Sequence, residues 1–127
     1  MATATRARLT NIMPMAHVAD VECSIEFYEK LGFTVGKRVR EGDVTNWASL
    51  DLEGNAQLML ARTGRPMNPG AQDVLFYLYA RNVVEYREQL QAKGIAVGEM
   101  QYPFWSPRGE FRVKDPDGYD LFVSHAD

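Results

Sequence analysis

"LGFTVG" at residues 31–36 returns sixty-two positions later as "KGIAVG" at residues 93–98. Self-similarity at a fixed offset marks a chain built from repeats, so this pair decides the fold if the match extends around it. It does extend. Without a gap, "NIMPMAHVADVECSIEFYEKLGFTVG" (11–36) lies over "DVLFYLYARNVVEYREQLQAKGIAVG" (73–98), in pattern rather than in identity. Each copy opens with an apolar run suited to a strand, residues 12–18 and 74–80. A polar residue follows, Asp20 or Asn82, and both types cap helices because a short acceptor satisfies unpaired N–H groups in the first turn. Glu85, three residues beyond Asn82, adds a capping-box partner.

The helices that begin there carry Ile25, Phe27, Tyr28 and Leu31 in the first copy and Val83, Tyr86 and Leu90 in the second, mostly along one face. Gly32 and Gly94 end them, because glycine takes the left-handed conformation of a helix stop without steric cost. At an offset of 63, "WASLDL" (47–52) lies over "EFRVKD" (110–115) and "QLML" (57–60) over "DLFV" (120–123). These segments alternate as strands do, and "EGN" (53–55) and "PDG" (116–118) carry the turn residues of hairpins. The chain therefore reads as α+β, a βαβββ unit written twice. Module one covers about 9–61, the Gly- and Pro-rich "RTGRPMNPGAQD" (62–73) is the linker, and module two covers about 74–125 of one domain spanning 1–127.

With 127 residues, 46% hydrophobic and 24% charged, the chain has enough apolar material for one core. No run approaches the roughly 18 apolar residues that cross a bilayer, and "MATATRARLT" has basic residues with no apolar stretch behind them, so a cytoplasmic location is expected. The lone Cys23 cannot form an internal disulfide and reads as a small hydrophobe on the first helix. A net charge of −3 without a Lys/Arg cluster argues against nucleic acid or an anionic membrane as partner.

Strand residues point alternately to opposite faces, and the more aliphatic set belongs on the helices. Ile12, Pro14, Ala16 and Val18 form that set in the first strand, which turns Met13, Met15 and His17 the other way. By the same parity Trp47, Ser49 and Asp51 oppose Ala48, Leu50 and Leu52, and Gln57 and Met59 oppose Leu58 and Leu60. In the second copy Tyr77 and Tyr79 oppose Phe76 and Leu78, Glu110 and Arg112 oppose Phe111 and Val113, and Asp120, Phe122 and Ser124 oppose Leu121 and Val123. In "YPFWSPRG" (102–109) the prolines and glycine exclude a helix or central strand, yet Tyr102, Phe104 and Trp105 are large apolar groups. Either they plug the core or they close over a ligand. The candidate ligand contacts are Met13, Met15, His17, Trp47, Met59, Tyr77, Tyr79, Phe104, Trp105, Glu110, Arg112 and Phe122. Within this set His17 reads as a hydrogen-bonded cavity or core histidine, and Glu110 with Arg112 as a ligand clamp or an ordinary ion pair. No nucleophile–base pair, phosphate-binding glycine loop or zinc-ligand spacing occurs.

With "VADVECSIEFYEKLGF" (18–33) opening the first unit and "DPDGYDLFV" (115–123) closing the second, the chain resembles the vicinal oxygen chelate superfamily. That group includes glyoxalase I, extradiol dioxygenases, fosfomycin resistance enzymes and bleomycin resistance proteins. The resemblance implies curved mixed sheets that enclose a cavity, and in the enzymes a divalent metal held there by His and Glu. Carried over, the four metal positions fall on Met13, Met59, Leu75 and Phe122. None offers the imidazole nitrogen or carboxylate oxygen that such metals require. The resemblance is thus to the metal-free bleomycin resistance branch. It implies a homodimer without cofactor that sequesters a small planar or aromatic, antibiotic-like molecule. Two other readings stand beside it: a glyoxalase- or dioxygenase-type enzyme with an atypical site using His17, Glu110 or Asp120, and a dimeric interaction module with no ligand. On the leading reading the purified protein carries no stoichiometric Zn, Mn, Ni or Fe by elemental analysis. About one metal per chain, lost together with thermal stability on chelation, would restore the enzyme reading.

Overall fold

The Asp20 side chain accepts the Cys23 amide at 3.1 Å and starts α1 (Val21–Leu31), which ends at Gly32 in the left-handed region (φ 115°). A strand precedes this helix and three follow it: β1 (Met15–Val18), β2 (Thr34–Glu41), β3 (Val44–Leu52) and β4 (Asn55–Arg62). After the linker come β5 (Leu75–Ala80), α2 (Val83–Ala92), β6 (Glu110–Lys114) and β7 (Asp120–His125). The computed structural model describes residues 7–126; the first six residues, part of the stretch read for a targeting signal, lie outside them. Among the described residues no helix is long and apolar enough to cross a membrane.

The architecture is α+β, with two open, curved mixed sheets and two helices. The first sheet runs β1-β4-β3-β2 and the second β5-β7-β6. In each, the strand before the helix pairs parallel with the last strand of its unit, β1 with β4 and β5 with β7, while the hairpin strands pair antiparallel. The β3–β4 hairpin turns at Glu53 and Gly54 (φ 51° and 82°), the double positive φ that matches the twist of adjoining strands.

Burial follows the expected parity. Ala16, Val18, Ala48, Leu50, Leu58 and Leu60 of the first sheet are buried on the helix side, as are Phe111, Val113, Leu121 and Val123 of the second. They join Ile25, Tyr28, Leu31, Val83 and Leu90 of the helices in one core.

Four expectations need correction. The first strand begins at Met15 rather than at residue 12: Ile12 is 87% exposed and Pro14, which has no N–H to give a ladder, contributes only its carbonyl, to the Met59 amide at 2.9 Å. Cys23 is exposed on α1 rather than packed as a hydrophobe. Asn82 is left-handed (φ 55°) and donates its side-chain amide to Glu85 at 2.7 Å, so it caps no backbone N–H. Finally, no regular strand forms between α2 and β6. Residues 95–101 reach β6 only through the Gly98 amide on the Arg112 carbonyl (2.8 Å) and a bridge between Gln101 and Glu110, because Arg87 of α2 takes the Gly98 carbonyl at 2.8 Å.

The DPDG turn between β6 and β7 ties the two units together. The Asp115 carboxylate accepts the amides of Asp117 and Tyr119, both at 2.9 Å, and on its other oxygen the Tyr28 hydroxyl of α1 at 2.8 Å. Asp117 accepts the Ala19 amide (2.9 Å) and the Ser24 hydroxyl (3.3 Å) at the start of α1. Gly118 is left-handed (φ 89°), and a Cβ there would lie 2.5 Å from Pro69, so the linker can press onto the turn only because the residue is glycine. Burial pushes the Asp115 carboxyl up from its ordinary range, while the hydrogen bonds from Tyr28 and the two amides pull it down.

Tyr28→Phe removes the one side-chain donor that Asp115 has among the described residues and should destabilise the fold by about 1–3 kcal/mol at neutral pH. Losing that donor raises the folded-state pKa of Asp115 further, so the variant binds a proton more readily. Its deficit against the parent should therefore shrink as pH falls through the Asp115 pKa. Urea titrations in neutral and acid buffer check both the size and the sign.

Candidate functional site

The parity that buries one face of each sheet leaves the other to solvent. On the second sheet the register makes three rows: Leu75, Asp120 and Lys114; Tyr77, Phe122 and Arg112; and Tyr79, Ser124 and Glu110. Tyr77 and Phe122 stack with centroids 5.3 Å apart and planes 15° from parallel, and Tyr79 continues the stack at 6.4 Å and 30° from Tyr77. Lys114 and Asp120 pair at 2.8 Å at one end. The face is an aromatic platform with charges at its margins.

Trp105 reaches this platform from the loop. Its indole N–H donates to the Glu110 carboxylate at 3.2 Å, and Phe104 packs edge-on against it at 5.0 Å. The Ser106 hydroxyl donates to the Gly109 carbonyl at 2.9 Å and pairs with the Ser124 hydroxyl, pinning the loop base to β7. Trp105 is 60% exposed and Phe104 91% exposed, so neither plugs the core. Partial burial, and then the negative charge of Glu110, hold the Tyr77 phenol above its ordinary pKa.

The first sheet presents a different set. Met15 lies opposite Met59, and His17, Ala61 and Trp47 form the adjacent row. His17 is exposed on this face rather than buried in core or cavity, and its backbone carbonyl accepts the Tyr119 hydroxyl at 2.9 Å. Met13 precedes β1 and stands outside the ladder. Ser49 shares the open parity but is buried, because β2 bulges over it: Lys37 donates its amide to the Ser49 hydroxyl at 3.0 Å, and a Cβ at Gly36 would come within 2.7 Å of that oxygen.

Of the residues singled out in the sequence, the structure thus gathers Tyr77, Tyr79, Phe122, Trp105, Glu110 and Arg112 on one sheet face, with Phe104 at its rim. Met15, His17, Trp47 and Met59 gather on the other sheet. Two cavities touch the first group. A cleft of about 760 Å³ between the units is lined by Tyr77 and Tyr79 together with Leu58, Phe33, Phe76 and Tyr86. Alternation assigns Leu58 and Phe76 to the core and the helix stripe assigns Tyr86 there; the missed signal for Phe76 is that β5 is an edge strand, so both of its faces reach the cleft. A smaller cavity of about 250 Å³ is lined by Glu110, Arg112, Phe122, Gln101, Glu99 and Gly98.

The four positions implied for a metal do not suit one. Met59 lies across from Met15, Met13 is off the sheet, and Phe122 is taken up in the stack with Tyr77. Among the described residues no three His, Cys, Asp or Glu side chains come together as a ligand set. Thioether and hydrocarbon groups are poor partners for the hard and borderline cations of glyoxalase and dioxygenase chemistry.

Paired α+β units with open faces and an aromatic platform define the class of protein. The profile of the glyoxalase/bleomycin resistance protein/dioxygenase superfamily matches residues 12–122, and the chain belongs to this superfamily. Comparison with curated protein sequences gives no match. Among solved structures, a bleomycin-binding protein complexed with bleomycin superposes with a TM-score of 0.75 at 20% identity, over 94% of this chain and 100% of that one. TnmS3, an antibiotic-binding protein from Streptomyces sp. CB03234, gives 0.70 at 22% identity, over 95% and 100%. The bleomycin resistance determinant encoded on the transposon Tn5 gives 0.71 at 20%, over 94% and 99%. At these identities the likeness is one of fold.

Because Trp105 is mostly exposed, Trp105→Ala should lower stability by about 1 kcal/mol or less, well short of the roughly 3–5 kcal/mol lost when a buried tryptophan is truncated. Chemical denaturation decides it. A loss in the larger range would return the loop to the core.

Proposed function

We propose that this chain binds and sequesters a small planar or aromatic, antibiotic-like molecule without the help of a metal. One observation carries the reading: Tyr79, Tyr77 and Phe122 form a near-parallel row of rings on a rigid sheet, left open to solvent, with Trp105 at its edge. Rings arranged in this way offer offset stacking to a flat ligand, and a bare aromatic surface is seldom left open without use. Met15 and Met59 on the other sheet supply flexible, polarisable contacts that adapt to a ligand outline. The bleomycin- and antibiotic-binding proteins of the same fold lend support to this class of ligand.

The assembly we propose is a homodimer. Each chain exposes two complementary half-sites on two sheets, so a second copy that sets its first sheet over the second sheet of its partner closes both sites by one two-fold operation. Closure also covers Tyr77, Tyr79 and Trp105, which are exposed in the single chain. Sedimentation at micromolar concentration should give twice the chain mass; the mass of one chain would contradict the assembly.

Binding itself is tested by a thermal-shift screen of planar antibiotics, because a ligand that binds only the folded state raises its apparent stability. Hits should quench most of the fluorescence of Trp47 and Trp105, the only two tryptophans in the chain. Tyr77→Ala should then weaken binding by roughly ten- to a hundredfold, about 1.5–3 kcal/mol, with the melt of the ligand-free protein little changed. A protein that answers to no planar compound, or whose affinity ignores Tyr77, is not the container described here.

A further inference from the structure

Glu110 is the chemically unusual group on the platform. It is 5% exposed, sits in the middle of an apolar neighbourhood of Trp105, Tyr77 and Phe122, and still borders the cavity of about 250 Å³. Its backbone is held in the bridge to Gln101, its amide donating to the Gln101 carbonyl at 2.9 Å and its carbonyl accepting the Gln101 amide at 2.8 Å. One carboxylate oxygen accepts the Trp105 indole N–H. Among the described residues the ion pairs are Glu22 with Arg38 and Arg40, and Lys114 with Asp120; no cation pairs with Glu110. Arg112, two residues along the same strand and on the same face, is exposed and does not turn back to it.

A buried carboxylate without a cation is unfavourable unless something else supplies the positive charge or the missing donors. The groups that face it, the Trp105 indole and the Tyr77 phenol, are neutral donors and leave its charge without a counter-charge. The second carboxylate at the cavity, Glu99, makes the lining negative on balance against the single guanidinium of Arg112. Resting on the ligand-binding reading above, we infer that Glu110 selects the ligand: it accepts a charge-assisted hydrogen bond from a protonated nitrogen on a planar ring system stacked over Tyr77 and Phe122. The stack fixes the plane of the ring, and the carboxylate fixes which edge faces β6. Trp105 orients the carboxylate, so this tryptophan both borders the ligand and positions the group that reads its charge. The ligand class is a planar aromatic cation, and Arg112 at the exposed margin serves solubility or steering rather than anion capture.

The test uses three acridines that share one ring system: protonated 9-aminoacridine, neutral acridine-9-carboxamide and anionic acridine-9-carboxylate. Affinities are read by tryptophan quenching and by calorimetry on the intact protein. The cation should bind about tenfold or more tightly than the carboxamide, and the carboxylate most weakly. Glu110→Gln, which keeps an acceptor for the Trp105 indole, should bring cation and carboxamide within about threefold by weakening only the cation, while Arg112→Ala leaves the preference in place. Equal affinity of cation and carboxamide for the parent protein overturns the inference, and this comparison needs no variant to fold. So does a preference that survives Glu110→Gln, or a tightest-binding carboxylate whose advantage disappears in Arg112→Ala. If the three bind equally, container stands and the role of Glu110 falls; if none binds to folded protein, both fall.

Discussion

A pair of carboxylates at one turn holds the two halves of the molecule in a fixed relation. Asp115 folds the DPDG turn by accepting two of its amides and then reaches Tyr28 of α1, while Asp117 accepts the Ala19 amide and the Ser24 hydroxyl just beside the helix start. Both are buried, so the bonds form away from competing water. Tyr119, next in the chain, returns a hydroxyl to the carbonyl of His17, and Tyr86 of α2 donates to the carbonyl of Leu31. These links join the second unit to the backbone of β1 and α1. Each sheet is thereby aimed: its helix side is committed to the shared core, and its other side has nowhere to go but outward.

That outward side carries the proposed binding surface, and its composition follows from the period of a strand. Once Phe111, Val113, Leu121 and Val123 are pulled into the core, Glu110, Arg112, Phe122 and Ser124 must face out, and parallel pairing with β7 brings Tyr77 and Tyr79 alongside them. The platform is rigid because it is made from sheet residues, whereas the rim is a loop held to the sheet by side-chain bonds, Trp105 to Glu110, Ser106 to Ser124 and Arg108 to His125. Rigid floor and adaptable rim suit recognition of flat molecules whose outlines differ.

Much of this was legible in the amino-acid sequence, and for identifiable reasons. The repeat, the glycine stops and the alternation depend on local geometry, so α1, α2 and the inward sets of six strands could be read directly from residue types. What could not be read depended on partners distant in the chain. Nothing near Gly98 announces that Arg87 will take its carbonyl and deny β6 a regular neighbour. The bulge of β2 that buries Ser49 depends on Gly36 meeting β3, and the exposure of His17 on the fact that β1 lies at the edge of its sheet. Parity put Trp47 on the lining and the 102–109 loop was to bring Trp105 to it, but within one chain the two belong to different sheets. The aromatic loop left two options open from sequence, and the exposure of Phe104 and Trp105 removes the core plug.

The central claim is that the open face of the second sheet is a binding surface, and the two tryptophans give it a direct spectroscopic reporter. In a titration of the ¹⁵N-labelled protein with a planar tricyclic aromatic, the indole N–H resonance of Trp105 should move in a saturable way, together with the amides of Tyr77, Arg112 and Phe122. Shifts confined to the groove beside Cys23, Lys30 and Pro116 on the far side of α1, or shifts that grow linearly without saturation, would contradict the account.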